Sequence, residues 1–92
     1  MATPKAPAGH FTVLYFASAA SYTRKSFDHI AAPLQASKLF DGLDSKYPGI
    51  KQKVLDSCAV TLNLDYIDIE ETSDQSIQAG DEVAIIPPVS SG

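Results

Sequence analysis

Apolar residues recur along this chain with two different periods, and the period predicts which segments form strands and which form helices. Residues 11–16 are apolar at nearly every position and rich in aromatic and β-branched types, which is typical of a central strand covered on both faces. Residues 82–86 predict a last strand, because Pro87 and Pro88 follow them and neither proline has an N–H to donate to a ladder. The pattern therefore predicts a strand near each end of the chain.

The clearest helical pattern lies in residues 34–47, between Pro33 and the dipeptide Pro48-Gly49. Apolar residues recur there at spacings of three and four, which predicts one apolar stripe. The stripe consists of Ala36, Leu39, Phe40, Leu43 and Tyr47. Residues 50–56 predict a short second helix.

The intervening segments carry weaker signals. Residues 25–30 indicate a more polar second strand, antiparallel to the first, and residues 17–22 indicate a turn or a single helical turn. Residues 59–64 alternate in polarity, which predicts a half-buried strand. Residues 65–69 follow it as an extended segment or a turn. Residues 70–76 are typical of a polar loop.

The order of elements is strand, strand, helix, strand, edge segment and strand, with a turn at Gly80 before the last strand. One main helix on the face of a mixed sheet of four or five strands is the α+β solution for this order. If the first and last strands are parallel neighbours, the fold is a β-grasp roll. We expect residues 1–10 to be a flexible lead-in, residues 11–87 to form the β-grasp domain, and residues 88–92 to form an extended tail.

The composition suits a single globular domain, since the chain has 92 residues, of which 45% are apolar and 20% charged. Its apolar runs are shorter than the roughly 20 residues that span a bilayer, and its start lacks the apolar core of a signal peptide. The single cysteine, Cys58, excludes an internal disulfide and a cysteine-based metal site. We therefore expect a cytosolic protein with no membrane partner.

Charge is divided sharply along the chain. Residues 1–53 carry seven basic and three acidic side chains, whereas residues 54–92 carry eight acidic side chains and no lysine or arginine. The acidic half argues against contact with nucleic-acid phosphates and favours a basic partner surface. A solvated acidic face that keeps the protein soluble is the alternative interpretation.

Conventional catalytic motifs are absent from the sequence. His10 and His29 are far apart and neither is paired with a ligand at helical spacing, so no metal site is predicted. Cys58 adjoins Ala59 and Val60, and we interpret it as a buried structural thiol. The sequence contains neither a nucleophilic-serine motif nor a glycine-rich phosphate loop. We therefore expect no bound cofactor.

The end of the chain is its most unusual part. Two prolines hold the backbone extended there. The segment consists of Pro87, Pro88, Val89, Ser90, Ser91 and Gly92. Six residues reach at most roughly 20 Å, and a tip with small side chains suits a narrow channel. Its carboxylate is inert until it is activated, as adenylation by ATP would do. The alternative is a frayed terminus without function.

Two segments at opposite ends of the chain resemble a known family. Residues 11–17, Phe-Thr-Val-Leu-Tyr-Phe-Ala, and residues 80–92, Gly-Asp-Glu-Val-Ala-Ile-Ile-Pro-Pro-Val-Ser-Ser-Gly, are similar to the MoaD-type sulfur-carrier subunits of molybdopterin synthase. Residues 59–68, with Asn63, resemble the middle segment of that family. The terminal motif is specific, because it combines a turn, a strand, two prolines and a final glycine.

The resemblance implies a ubiquitin-like β-grasp protein that is a co-substrate rather than an enzyme. An adenylyltransferase–sulfurtransferase would use ATP to adenylate Gly92 and would then convert it to a thiocarboxylate. The tail would insert into the large subunit of molybdopterin synthase. Two rounds of sulfur donation to cyclic pyranopterin monophosphate (precursor Z) would build the dithiolene there. The implied assembly is a heterotetramer of two small and two large subunits.

The resemblance also assigns roles along the tail and at its root. The residues that aim the tail or line the channel of the partner are Pro87, Pro88, Val89, Ser90 and Ser91. Phe16 and Ile86 are candidates for contact with the large subunit.

One position departs from the family, which usually ends in Gly-Gly, whereas Ser91 precedes Gly92 here. The reactive carbon is unchanged, so we expect the chemistry to be kept. The alternatives are a thiamine-pathway sulfur carrier, a ubiquitin-related modifier, or a β-grasp interaction domain without chemistry. The Pro-Pro-Val sequence favours the molybdopterin branch over the other carriers.

Overall fold

The computed structural model describes residues 5–68 and 75–88. In that part of the chain, short strands alternate with short helices. They are β1 (His10–Tyr15), α1 (Ala17–Thr23), β2 (Phe27–Ala31), β3 (Leu34–Gln35), α2 (Leu39–Lys46), α3 (Ile50–Lys53), β4 (Ala59–Leu62), β5 (Asp65–Ile67), β6 (Ser76–Ile77) and β7 (Glu82–Ile86). One 3₁₀ turn, Ala36–Lys38, leads into α2, and another, Leu55–Ser57, follows α3.

The main sheet contains five strands in the order β2-β1-β7-β4-β5. β1 and β7 run parallel, with Thr12 opposite Glu82 and Tyr15 opposite Ile85. The other neighbours in this sheet pair antiparallel. β3 and β6 form a separate two-stranded sheet. The predicted parallel pairing of the first and last strands is confirmed, and with it the β-grasp fold.

One face of the main sheet carries the core. Successive side chains of a strand point to opposite faces, so alternate residues of β1, β7 and β4 meet the helices. The buried apolar residues of these strands are Phe11, Val13, Tyr15, Val60, Leu62, Val83 and Ile85, and those of the helical layer are Ala19, Leu39, Leu43, Ile50, Val54 and Leu55. The apolar residues that recur at every second position in the strands therefore pack against those that recur at every third or fourth position in the helices, and together they form one core.

The helix predicted for residues 34–47 begins later than its apolar pattern indicates. Leu34 and Gln35 pair with β6 as a strand, and the backbone N–H of Ala36 donates to the carbonyl of Gln75. These long-range hydrogen bonds override the local helical pattern, so α2 starts only at Leu39. The predicted stripe nevertheless faces the core, with three of its five residues fully buried and Phe40 and Tyr47 packed at its margin.

The strand predicted for residues 59–64 ends two residues early. Asn63 and Leu64 adopt φ angles of 51° and 75° and form a two-residue turn between β4 and β5. Positive φ at both central positions is the type I′ geometry that matches the twist of a hairpin. Val60 and Leu62 face the core as predicted, whereas Leu64 is 84% exposed.

Asn63 ties this turn to the start of β7. Its backbone N–H donates to the carbonyl of Glu82, and its Oδ1 accepts the backbone N–H of Glu82 at 2.9 Å. Its Nδ2 donates to Oδ1 of Asp81 at 3.1 Å. Since Asn tolerates positive φ and supplies both a donor and an acceptor, one residue closes the hairpin and fixes the beginning of the last strand.

Other sequence predictions have mixed outcomes. β2 is antiparallel to β1 as predicted, residues 17–22 belong to helix α1, and Gly80 adopts φ 86° before β7. Ser76 was expected in a polar loop, but it belongs to β6 because it pairs with β3. Residues 69–74 lie outside the described residues. The division into a lead-in, a domain and a tail stays a prediction.

A buried carboxylate ties the helical layer to the edge of the sheet. Asp28 of β2 accepts hydrogen bonds from the hydroxyls of Tyr15 and Tyr47 and from the ammonium groups of Lys25 and Lys46. Burial disfavours the charged carboxylate, but the four donors outweigh burial and lower the pKa of Asp28. Burial and the same carboxylate raise the pKa of Tyr15 and of Tyr47. The cluster therefore stays charged at neutral pH and holds α2 against β1 and β2.

Replacing a core residue of α2 tests the helix assignment. Leu43→Ala should lower the free energy of unfolding by about 2–5 kcal/mol, because Leu43 is fully buried and its truncation leaves a cavity. Phe40→Ala should cost less, since Phe40 lies at the margin of the core. Urea unfolding followed by circular dichroism measures both values. A larger loss for Phe40→Ala than for Leu43→Ala would contradict the assignment.

Replacing Asp28 tests the buried cluster through its pH dependence. A pKa lowered by folding stabilises the protein above the unfolded-state value of about 3.9, and that stability is lost as the pH falls through the lower, folded-state pKa. Asp28→Asn should therefore lower the free energy of unfolding by about 2 kcal/mol at pH 7, and the difference from wild type should shrink in strong acid. Urea unfolding at a series of pH values measures it.

Asp41→Asn is the matched control, because Asp41 forms an exposed ion pair with Lys51. Exposed pairs contribute little, so this variant should unfold like the wild type. A loss of stability in Asp28→Asn that is the same at pH 7 and in strong acid would show that the charge of Asp28 is not what stabilises the fold.

Candidate functional site

The last described residues leave the sheet from its centre. β7 lies between β1 and β4, the backbone N–H of Phe16 donates to the carbonyl of Ile85, and Ile86 lies opposite Ala59. Pro87 follows directly and is buried, whereas Pro88 is exposed. Neither proline can donate to a further ladder, so pairing ends here and the chain is directed away from a rigid central strand.

Phe16 stands beside this exit. It precedes α1 with φ −120° and ψ 152°, and the next residue, Ala17, has φ 49°. This sharp turn from strand into helix leaves the side chain of Phe16 47% exposed. Because Tyr15 and Ile85 are paired in neighbouring strands, Phe16 and Ile86 lie side by side. The structure thus brings both predicted contact residues together at the root of the tail.

The face of the main sheet opposite the core continues from this root. We call it the helix-free face, and the strand register places on it the residues His10, Thr12, Leu14, Phe27, His29, Ala31, Ala59, Thr61, Tyr66, Glu82, Ala84 and Ile86. Within residues 5–68 and 75–88, the helices contribute their buried side chains to the opposite face only. Thr61 and Ala84 are nonetheless buried, because they lie between taller neighbours. The helix-free face is therefore apolar toward the root, at Leu14, Phe27 and Ile86, and more polar toward Thr12 and Glu82.

Tyr66 is a contact candidate that the sequence reasoning missed. Its side chain is 75% exposed, and it lies opposite Thr61 on the helix-free face. The alternation of polar and apolar residues beyond Leu62 was the available signal. Because the alternation continues through Asn63, it predicts one continuous strand. The hairpin turn, and with it the position of Tyr66, therefore does not follow from the sequence pattern.

Charge is distributed unevenly around the root and the helix-free face. Asp65, Asp81 and Glu82 lie at the hairpin end of β4, β5 and β7. Lys25 and Lys46 lie on the other side of the sheet, around Asp28 of the edge strand β2. The residues at the hairpin end thus form an acidic side next to β5, whereas these two lysines lie at the opposite edge of the sheet, beside β2.

The other candidate reactive groups, Cys58, His29 and His10, each contact neighbouring parts of the fold. Cys58 is half-buried, its Sγ lies 2.9 Å from the carbonyl oxygen of Val54, and burial raises the pKa of its thiol to about 11. The ring of His29 lies 5.2 Å from that of Phe27, and Nδ1 of His10 lies 3.1 Å from the carbonyl oxygen of Ala8. In the described part of the chain, no group of three His, Cys, Asp or Glu side chains is placed to hold a metal ion. None of its helices is long and apolar enough to cross a membrane.

The tip of the tail cannot be placed in the same way. Val89, Ser90, Ser91 and Gly92 lie outside the described residues, so their assigned roles stay predictions. What the structure adds is the anchor of that segment, which is a central strand flanked by exposed apolar side chains.

Solved structures of other proteins share this fold. SAMP1 from Haloferax volcanii is 22% identical and superposes with a TM-score of 0.75 over 91% of this chain and 100% of its own. A complex of subunits 1 and 2 of the molybdopterin-converting factor from Helicobacter pylori contains a chain that is 24% identical, with a TM-score of 0.62 over 90% of this chain and 99% of that one. At such identities the similarity establishes the fold alone.

Sequence comparison is more specific. The molybdopterin synthase sulfur carrier subunit of Pyrenophora tritici-repentis is 60% identical over 93 residues, which cover 100% of both chains. The sequence profile of the ThiS family matches residues 13–92. The resemblance inferred from the two ends of the sequence is confirmed, and this chain belongs to the ThiS family.

Proposed function

We propose that this chain is the sulfur carrier subunit of a molybdopterin synthase and is not catalytic on its own. The observation that carries the proposal is the 60% identity, over its whole length, to a relative that bears this name. The geometry is consistent with it, because the chain leaves the centre of the sheet through two prolines toward a terminal glycine.

The proposed chemistry takes place at Gly92. An adenylyltransferase–sulfurtransferase binds ATP, and an oxygen of the terminal carboxylate attacks the α-phosphorus while pyrophosphate leaves. Hydrosulfide then attacks the acyl carbon and displaces AMP, and loss of the proton from sulfur gives the thiocarboxylate. Glycine suits both steps, since it has no Cβ to hinder attack at the neighbouring carbonyl.

The thiocarboxylate then delivers its sulfur to the large subunit of the synthase. Beyond Pro88 the four residues of the tail extend at most roughly 13 Å, so the acceptor site lies close to the root. Sulfur passes to cyclic pyranopterin monophosphate (precursor Z), and two such deliveries build the dithiolene. We propose the assembly implied by the family, two small and two large subunits.

The helix-free face and Phe16 supply the contact surface for the large subunit. A partner that takes up the tail must approach the root, where Phe16 and Ile86 expose apolar area. Burial of such area stabilises a complex by roughly 25 cal/mol per Å² before the costs of association. The acidic side toward β5 favours a partner with a basic rim.

Cys58 is the rival position for the sulfur, and its surroundings argue against it. A thiol with a pKa of about 11 is almost entirely protonated at neutral pH, and the thiolate is the reactive form. The role of Cys58 is therefore packing between the helical layer and β4.

Mass spectrometry tests the site of sulfur attachment. Incubation with ATP, the activating enzyme and a sulfur donor should exchange one oxygen for one sulfur on Gly92, and Cys58→Ala should undergo the same exchange. Intact-mass analysis followed by fragmentation locates the change. Sulfur on Cys58 with none on Gly92 would contradict the mechanism.

A chain extended by one residue after Gly92 is the companion experiment. The extension should abolish thiocarboxylation while leaving the fold unchanged, because the acyl carbon is no longer terminal. Full sulfur delivery by the extended chain would contradict a role of the terminal carboxylate, and unchanged partner binding with no sulfur on either chain would indicate a binding module.

Phe16→Glu tests the contact surface. The substitution should weaken binding to the large subunit at least tenfold, because it places a charge in an apolar contact, and it should change stability little since Phe16 is about half exposed. Gln52→Glu adds the same charge on α3 and should bind like the wild type. Isothermal titration calorimetry measures both affinities. Equal affinities of the two variants would exclude Phe16 from the interface.

A further inference from the structure

Leu64 combines two unfavourable features in one residue. Its φ of 75° lies in the left-handed region, and its side chain is 84% exposed. A branched apolar side chain is disfavoured at positive φ, and the second position of a type I′ turn ordinarily takes glycine. Exposure means that Leu64 gains almost no burial within the chain in return.

The surroundings of Leu64 hold the turn in place. Asn63 bonds to Asp81 and Glu82, so the hairpin tip is tied to the start of β7. The neighbouring strand β5 carries Tyr66, which is also largely exposed. The tip is therefore a rigid element that presents Leu64 to the solvent, with the exposed Tyr66 nearby.

Three acidic residues lie next to this apolar tip. Asp65 follows Leu64 directly, and Asp81 and Glu82 lie next to Asn63 through its hydrogen bonds. An apolar side chain with acidic residues on neighbouring segments is complementary to an apolar recess that has basic residues at its edge. This pattern favours a partner surface on which lysine or arginine residues border an apolar recess.

We propose that the hairpin tip of residues 63–66 is a second anchor for the protein that receives the tail, with Leu64 seated in an apolar recess that lysine or arginine residues surround. The inference rests on the proposed function, because the tail-accepting large subunit is the occupant. It adds a specificity-determining residue that is remote from the tail.

The dimensions of the sheet allow one partner to reach both places. β7 runs from the hairpin end at Glu82 to the root at Ile86, which is roughly 13 Å at 3.3 Å per residue. An ordinary interface of about 800 Å² per partner is roughly 30 Å across. A large subunit that covers the helix-free face from the root therefore extends to Leu64.

The variant Leu64→Asn distinguishes a role of Leu64 in binding the large subunit from a role in stabilising the fold. Asparagine tolerates positive φ, so the variant should keep or raise the urea midpoint of unfolding. It should weaken binding to the large subunit about tenfold, chiefly through faster dissociation, because a buried apolar contact is lost. Surface plasmon resonance with the large subunit and urea unfolding provide the two readouts.

Asp65→Asn tests the charged rim separately. Loss of a rim charge should slow association a few-fold at low salt and leave dissociation unchanged. Asp41→Asn is the charge-matched control, since Asp41 lies on α2, in the helical layer on the other side of the sheet from the helix-free face. Equal slowing by both variants would contradict a local basic rim.

The outcomes distinguish the two proposals. No binding of the wild-type chain to the large subunit would overturn the proposed function. Wild-type binding combined with unchanged dissociation of Leu64→Asn would overturn the second anchor alone. Lower stability of Leu64→Asn with unchanged binding would make Leu64 a structural residue and would overturn the anchor as well.

Discussion

The parallel pairing of β1 with β7 is the contact on which the rest of the structure depends. It brings the first and last strands of the domain to the middle of a five-stranded sheet, where each is flanked on both sides. Because β7 is central, the residues after it leave from the most strongly held part of the sheet. The same pairing sets Phe16 beside Ile86, so the exit and its apolar border arise from one register.

The pairing also divides the sheet into two surfaces with different uses. All described helices contribute to the core on one face, and Asp28 with its four donors fixes that layer to the edge strand. The opposite face carries Leu14, Tyr66 and Ile86, which the helical layer does not cover. A domain of this size has a single core, so concentrating the helices on one face is what leaves the other available.

The sequence predicted the elements whose apolar pattern and tertiary surroundings agree. The strand at residues 82–86 was predicted with the bounds that β7 has, because turn, alternation and prolines mark both of its ends. Leu34 and Gln35 were assigned to a helix because their pairing partners lie about forty residues away, and local spacing cannot detect such a pairing. Leu64 was read as a strand residue because a leucine gives no signal of positive φ. The cluster around Asp28 is assembled from three separate segments, residues 15, 25–28 and 46–47, so no local sequence motif predicts it.

A chain that carries an activated acyl group, as proposed here, must keep its own nucleophiles from reaching it. An amine or thiolate in the same molecule reacts with an advantage of many orders of magnitude over one in solution when it is well placed. Burial raises the pKa of the Cys58 thiol to about 11 and so keeps it protonated at neutral pH, and the ammonium group of Lys25 is paired with Asp28. Lys46 is held by the same carboxylate. The packing that buries Cys58 is thus also a physical reason for the proposed acyl group not to pass to the thiol of the same chain.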